Sequence, residues 1–224
     1  MIPLKDDNPR IGTPVMNYIL LALNVLVYVY EMTLSPGELE QFIRHFGAVP
    51  NDITSFRNLH SLFTAMFLHG GLMHVAGNML YLYIFGDNVE NSMGSLRYLL
   101  FYLLCGLGAS VSHIVIEPSS TMPMVGASGA LSGVLAAYLV TFPRARVLVL
   151  VPVFFFITTI RLPAFIMLGF WFLMQLTSGL ASLGLNVSGG IAWFAHIGGF
   201  LVGILLVKVF RNPDFEQMRM VWWS

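Results

Sequence analysis

Six stretches of this chain are apolar for about the length of a membrane-crossing helix, and little else in the sequence can bury them. Crossing the hydrocarbon core of a bilayer takes about 20 mostly apolar residues in an α-helix. Such stretches cover residues 15–32, 72–86, 96–116, 126–142, 163–180 and 190–210. Of the 224 residues, 57% are hydrophobic and only 10% charged, whereas a soluble domain carries about 25% charged residues. A single water-soluble core of this size cannot hide so much apolar surface. An ordinary soluble enzyme and a disordered chain are therefore excluded. The 11 Lys+Arg are matched by 11 Asp+Glu, so the basic excess of a nucleic-acid binder is missing as well. The lone cysteine, Cys105, excludes a disulfide framework and a multi-Cys metal site. Lying in an apolar run, it reads as a small buried residue. The expected class is an all-α integral membrane protein.

Residues 147–160 are apolar but too short to span, with Pro152 inside and Arg144, Arg146 and Arg161 as flanks. They read as an interfacial segment. Charge decides the same way. With six spans and both termini cytoplasmic, the inner side holds Lys5, Arg10, Arg97, Arg144, Arg146, Arg161, Lys208, Arg211 and Arg219, and the outer side only Arg44 and Arg57. That is a strong positive-inside bias, and a seventh span would erase it. The first span has no small-residue cleavage site after it and reads as retained. Residues 33–70 are too polar to span and too aromatic for a plain linker. They are expected to form a structured, partly helical outer loop on the membrane surface. Val221-Trp222-Trp223 reads as an interfacial aromatic anchor. No internal repeat divides the chain, which reads as a single domain over 1–224. The compact chain without a targeting extension suggests a prokaryotic cytoplasmic (inner) membrane.

Polar side chains inside a bilayer are costly and are functional candidates by default. Three clusters qualify. Gly126-Ala127-Ser128-Gly129, followed by Ser132-Gly133, opens the fourth span and puts Ser128 near a helix N-terminus. Free backbone N–H groups there favour negative charge and suit a tetrahedral oxyanion. Taken alone, the small-residue pattern equally fits plain helix packing. In the sixth span, Gly199 and Gly203 follow His196 by three and seven residues and share its face. If that face meets Gly129 and Gly133, His196 lands beside Ser128. Taken alone, His196 equally fits a packing residue or a proton relay. In the second span, His74 and Asn78 lie four apart on one face, with His69 just before. Both can donate hydrogen bonds, and helix capping or packing is the alternative. Together the clusters supply a nucleophile, a base and donors for developing charge. With no Asp or Glu in the core of the fourth or sixth span, a Ser-His dyad is more economical than a triad.

These motifs resemble those of the rhomboid family of intramembrane serine proteases. The Gly126-Ala127-Ser128-Gly129 element with Gly133, the Ala195-His196-Ile197-Gly198-Gly199 element with Gly203, and the His74-Val75-Ala76-Gly77-Asn78 element match in kind and order. The likeness covers about residues 12–210. It implies a six-transmembrane-helix bundle that hydrolyses peptide bonds in or near transmembrane segments of other membrane proteins. Ser128 would be the nucleophile and His196 the general base and acid. His74, Asn78 and the Ser128 N–H would form the oxyanion site. His69 would help hold the outer side of the second span. The fifth span and the Thr177 to Gly190 loop would be the gate and cap. No cofactor or metal is implied, and the expected partners are transmembrane protein substrates and the lipid bilayer, with no nucleic acid.

Two departures matter. Many members carry a Trp-Arg pair in the outer loop, where this chain has Phe56-Arg57-Asn58-Leu59-His60. Some place an aromatic one turn after the serine, where this chain has Ser132, leaving open what orients the imidazole. The alternative reading is a proteolytically inactive rhomboid-like binder of membrane proteins. Such relatives generally lose the serine or histidine, and both are present here. A channel or transporter fits less well without an inverted repeat. The zinc and aspartyl types of membrane protease lack their His-Glu-x-x-His and Gly-x-Gly-Asp elements here.

Overall fold

The computed structural model describes residues 1–9, 12–153, 156–185 and 192–215. In chain order its elements are β1 (Ile2–Asp6), α1 (Val15–Glu31), α2 (Pro36–Phe46), α3 (Pro50–Thr54), α4 (Ser61–Thr64), α5 (Leu72–Met93), α6 (Ser95–Ile116), α7 (Ser128–Thr141), β2 (Arg146–Val153), β3 (Phe156–Pro163), α8 (Ala164–Leu185) and α9 (Trp193–Phe210). A 3-10 turn, Ala65–Phe67, follows α4. By length and composition α6, α9 and Ala164–Leu183 of α8 are long and apolar enough to cross a membrane, while α1 and α7 are shorter apolar helices. Leu26, Val115, Leu173, Leu205 and Val209 point outward and are more than half exposed. In water such a surface would drive association, whereas in lipid it needs no cover.

The interior is built around α7. Every residue from Gly129 to Tyr138 is buried, and the helix packs against α5, α6 and α9. Phe85 of α5, Tyr98, Phe101 and Tyr102 of α6, and Tyr138 of α7 are fully buried around it. Small side chains let α7 and α9 come together almost backbone to backbone. A Cβ added at Gly203 would lie 2.6 Å from both Cα and O of Gly133. Cys105 is free and buried, and its side chain fills the space beside Gly133.

The charged end of α5 is held by its neighbours. Pro14 precedes α1 without a side-chain cap, and the first turn of α1 contains no acidic residue. Glu90 of α5 supplies the missing acceptor: its carboxylate takes the N–H groups of Met16 at 3.0 Å and Asn17 at 2.7 Å. Those are two of the donors that every helix start leaves unpaired, and the helix dipole adds to their attraction for an anion. Ser95 Oγ donates to the same carboxylate at 2.5 Å. Asn17 in turn donates to the Leu82 carbonyl at 3.0 Å and accepts from the Tyr98 hydroxyl at 2.8 Å. Helices α1, α5 and α6 are thus tied by buried hydrogen bonds where hydrophobic burial gives little grip within lipid.

Three sequence expectations are corrected. The second helix does not end near residue 86 but runs to Met93, because Asp87, Asn88 and Glu90 are buried rather than marking an exit. The fold is not purely helical: most of the segment 147–160, expected at the membrane interface, is strand. Strands β2 and β3 pair antiparallel, and β1 adds antiparallel on the far side of β2. The run Val147-Leu148-Val149-Leu150 alternates fully buried with half-buried side chains, the period of a strand. Asp6 fastens β1 to the bundle: one carboxylate oxygen accepts from Tyr138 OH at 2.5 Å, Asn88 Nδ2 at 3.0 Å and Asn8 Nδ2 at 3.1 Å. Burial raises the Asp6 carboxyl to about 6. Finally, Thr177 to Leu185 is not a loop. It continues α8, since Thr177 and Ser182 return their hydroxyls to the carbonyls of Leu173 and Gly179 and leave the helical ladder intact. The remainder of that expected cap, through Gly190, and the Val221-Trp222-Trp223 anchor lie outside the described residues.

The loop 33–70 is helical in pieces, as expected. Ser35 and Glu38 form a capping box at the start of α2, a reciprocal pairing that stabilises a helix start. Ala48 and Met124 exchange backbone hydrogen bonds at 3.0 and 2.9 Å, pinning the loop to the segment that leads into α7.

Replacing Glu90 with Ala would leave the α1 N–H groups buried without an acceptor. The expected loss is about 2 kcal/mol, seen as a lower thermal midpoint of the detergent-solubilised protein. Glu90→Gln, which keeps one acceptor, is expected to lose less.

Candidate active site

Ser128 is the first residue of α7, preceded by Ala127 at the cap position. Its backbone N–H therefore lies ahead of the intrahelical ladder. The approach to it is a tight bend. Gly126 has φ 125°, a conformation open to glycine and strained for other residues. Its N–H donates to the Ala65 carbonyl at 2.9 Å, which ties the bend to the loop before α5. A Cβ at Gly126 would lie 2.8 Å from the His74 ring and 3.6 Å from Ser128 Oγ. The missing side chain is thus what lets His74 of α5 stand beside the serine.

The same close contact that packs α7 on α9 carries His196 to Ser128. A Cβ at Gly199 would collide with the Gly129 carbonyl, and one at Gly129 would lie 2.6 Å from the Ala109 side chain. At this spacing Nε2 of His196 is 2.8 Å from Ser128 Oγ. Both residues are half-buried. The other ring nitrogen, Nδ1, is 2.7 Å from Oε1 of Gln175, a buried side chain on α8. Two indoles, Trp171 of α8 and Trp193 of α9, lie 6.2 and 6.4 Å from the imidazole centroid. Gln175 was not singled out from the sequence. The available signal was a lone amide in a long apolar helix.

Asn78 and His69 meet on the other flank, with Asn78 Nδ2 3.0 Å from His69 Nε2. Burial, with His74 nearby, lowers His69 to about 4, so the ring is neutral at pH 7 and Nε2 can accept from the amide. The His69 backbone N–H donates to the Glu31 carboxylate at 3.2 and 3.3 Å. This joins the start of α5 to the end of α1. Gly70 N–H donates to His74 Nδ1 at 3.3 Å, leaving Nε2 of that ring on the Gly126 side.

The two departures have structural counterparts. In the stretch 56–60, Phe56 is 86% exposed and Arg57 pairs with Asp52 at 2.7 Å, away from any aromatic partner role. Ser132 is fully buried and donates its hydroxyl to the Ser128 carbonyl at 2.6 Å. It braces the first turn of α7 and leaves the imidazole to side chains of α8 and α9.

The chain also resembles known proteins. The model of the rhomboid domain matches residues 57–213. The rhomboid protease GluP of Bacillus subtilis is 33% identical over 203 residues, which cover 90% of this chain and 36% of that protein. RHOMBOID-like protein 4 of Arabidopsis thaliana is 33% identical over 65% of this chain and 32% of its own length. RHOMBOID-like protein 6, mitochondrial, of the same plant is 33% identical over 65% of this chain and 41% of its own length. The chain thus spans about a third to two fifths of these relatives. The domain match takes in all of α5 to α9, and with it Ser128, His196, His74 and Asn78: this chain belongs to the rhomboid family.

Proposed function

We propose that this chain is an intramembrane serine endopeptidase that cuts transmembrane protein substrates with a Ser128–His196 dyad. The single observation that carries the reading is the 2.8 Å hydrogen bond between Ser128 Oγ and His196 Nε2, with Ser128 at the start of a buried helix. The whole chain, 1–224, acts as one rhomboid domain of six spans. Its termini are cytoplasmic, as the basic-residue bias favours, and it resides in the cytoplasmic membrane of a prokaryote.

The chemistry follows from the placement. His196 Nε2 takes the Ser128 proton as Oγ attacks the scissile carbonyl carbon. The carbonyl oxygen becomes an oxyanion and receives hydrogen bonds from the Ser128 N–H, His74 and Asn78. The tetrahedral intermediate collapses as the imidazolium gives its proton to the leaving amine, leaving an acyl-enzyme. Water, deprotonated by His196, attacks the ester, and the proton returns to Ser128 Oγ as the new carboxyl group leaves. Water must reach the site, so the pocket opens to the outer side, where the outer loop leads into α7. A substrate helix hides its peptide bonds in its own ladder, so helices loosened by Gly, Pro or Ser are the preferred substrates.

The test is cleavage of a single-span model substrate by the detergent-purified protein. Wild type is expected to cut, with or without a chelator. Ser128→Ala and His196→Ala are expected to lose at least about 1,000-fold. Cleavage persisting in Ser128→Ala would contradict the serine mechanism.

The Asn78–His69 pair generates a second expectation. His69 titrates near 4 in the folded protein and near 6.5 in an unfolded chain. Between those values the unfolded state binds more protons, so stability falls as the pH drops from about 6.5 to 4. Wild type is expected to lose more of its thermal midpoint between pH 7 and 4.5 than His69→Gln does. Equal losses would remove His69 from the account.

A further inference from the structure

Among the described residues the dyad has a base but no carboxylate to orient it, and the geometry points to Gln175 in that role: we infer that its Oε1, on α8, accepts Nδ1–H of His196 and holds the tautomer in which Nε2 faces Ser128. The inference rests on the proposed dyad and deepens it. An amide oxygen can only accept. With Nδ1 2.7 Å from it, the ring proton sits on Nδ1, and Nε2 keeps its lone pair toward the hydroxyl 2.8 Å away. Without this acceptor an imidazole is free to carry its proton on Nε2, where it cannot take one from serine.

Three further observations support the assignment. A glutamine inside a lipid-spanning helix is costly unless paired, and Gln175 is 7% exposed within a helix whose flanking Leu173, Met174 and Leu176 are exposed to the apolar surroundings. Trp171 lies one turn before Gln175 on the same face and also sits against the imidazole, so α8 holds the ring by both a wall and a hydrogen bond. The position one turn after the serine, Ser132, is turned to the Ser128 carbonyl and contributes nothing to the ring. Gln175 is therefore a positioning residue, and through it the orientation of the base depends on how α8 sits against α9. An outward displacement of α8 would remove the acceptor together with Trp171 and leave Ser128 without an aligned base.

The experiment measures kcat and KM against pH for wild type, Gln175→Leu and Gln175→Glu on the single-span substrate, with Ser128→Ala alongside. Gln175→Leu keeps the volume and removes the acceptor. It is expected to lower kcat about 10- to 100-fold with KM changed less than about twofold. Gln175→Glu keeps an acceptor and adds charge. It is expected to recover most of kcat and to move the acid limb of the profile upward by about 1. The titratable groups acting on His196 from the neighbouring helices are His74 on α5 and His113 on α6. Both are unchanged in all the variants, so the difference reports position 175. A purely packing role would alter the thermal midpoint and leave the acid limb in place. If Gln175→Leu does not fold, the limb of Gln175→Glu decides. Unaltered kcat in Gln175→Leu, or an unmoved limb in Gln175→Glu, would overturn this inference while leaving the dyad intact. Ser128→Ala cleaving as well as wild type would overturn both.

Discussion

The backbone-to-backbone contact between α7 and α9 is the constraint on which the site depends. Gly199 and Gly203 of α9 lie so close to Gly129 and Gly133 of α7 that a methyl group on either α9 glycine would strike the α7 backbone, while one on Gly129 or Gly133 would strike Ala109 or Cys105 of α6. Lipid offers no hydrophobic drive to hold two apolar helices together, so close packing of small residues must do so. That packing fixes the spacing and rotation of the two helices; His196 shares the face of Gly199 and Gly203, and Ser128 stands at the start of α7 next to Gly129. The 2.8 Å bond between Ser128 and His196 is a consequence of the contact.

Around that contact three carboxylates are paired across elements distant in sequence. Glu90 closes the start of α1, Glu31 receives the His69 N–H, and Asp6 gathers β1 against α5 and α7. Each bond is strong where water is scarce, and each would be costly if one partner were removed. The result is a rigid frame on α1, α5, α6, α7 and α9. Helix α8 differs: it is the most exposed of the three long apolar helices. Yet it contributes Trp171 and Gln175 to the surroundings of His196. With Ser128, the proposed nucleophile, on the buried helix and part of the surroundings of His196 on the peripheral one, the proposed site is suited to control by α8.

Much of this was legible in the residues, and the reasons for the rest are physical. Apolar length marked where the long helices fall, because period and composition are local properties. The heptad-like spacing of His196 with Gly199 and Gly203 showed that the histidine shares a packing face, because helix geometry is fixed. The β1–β2 pairing was not legible, since it joins residues about 140 positions apart and the N-terminal segment carries no clear strand pattern of its own. The far end of α5 was not legible because the apolar stretch stops near residue 86, while Asp87 and Glu90 beyond it find their partners only in the folded chain. Gln175 was missed because its meaning depends on the rotation of α8 against α9, which no local pattern encodes. The amide of Asn78 was recognised as a donor, but its partner, His69, was visible only once the turn before α5 had folded back.

The most direct test of the account asks whether the glycine contact creates the reactive serine. A serine-directed fluorophosphonate would be reacted with the protein in lipid bilayers and the adduct located by mass spectrometry, for wild type, His196→Ala and Gly203→Leu. The account predicts an adduct on Ser128 in wild type and its loss in both variants, with Gly203→Leu still helical by circular dichroism. Labelling of Gly203→Leu at the wild-type rate would contradict it, because the serine would then be reactive without the contact that brings its base into place.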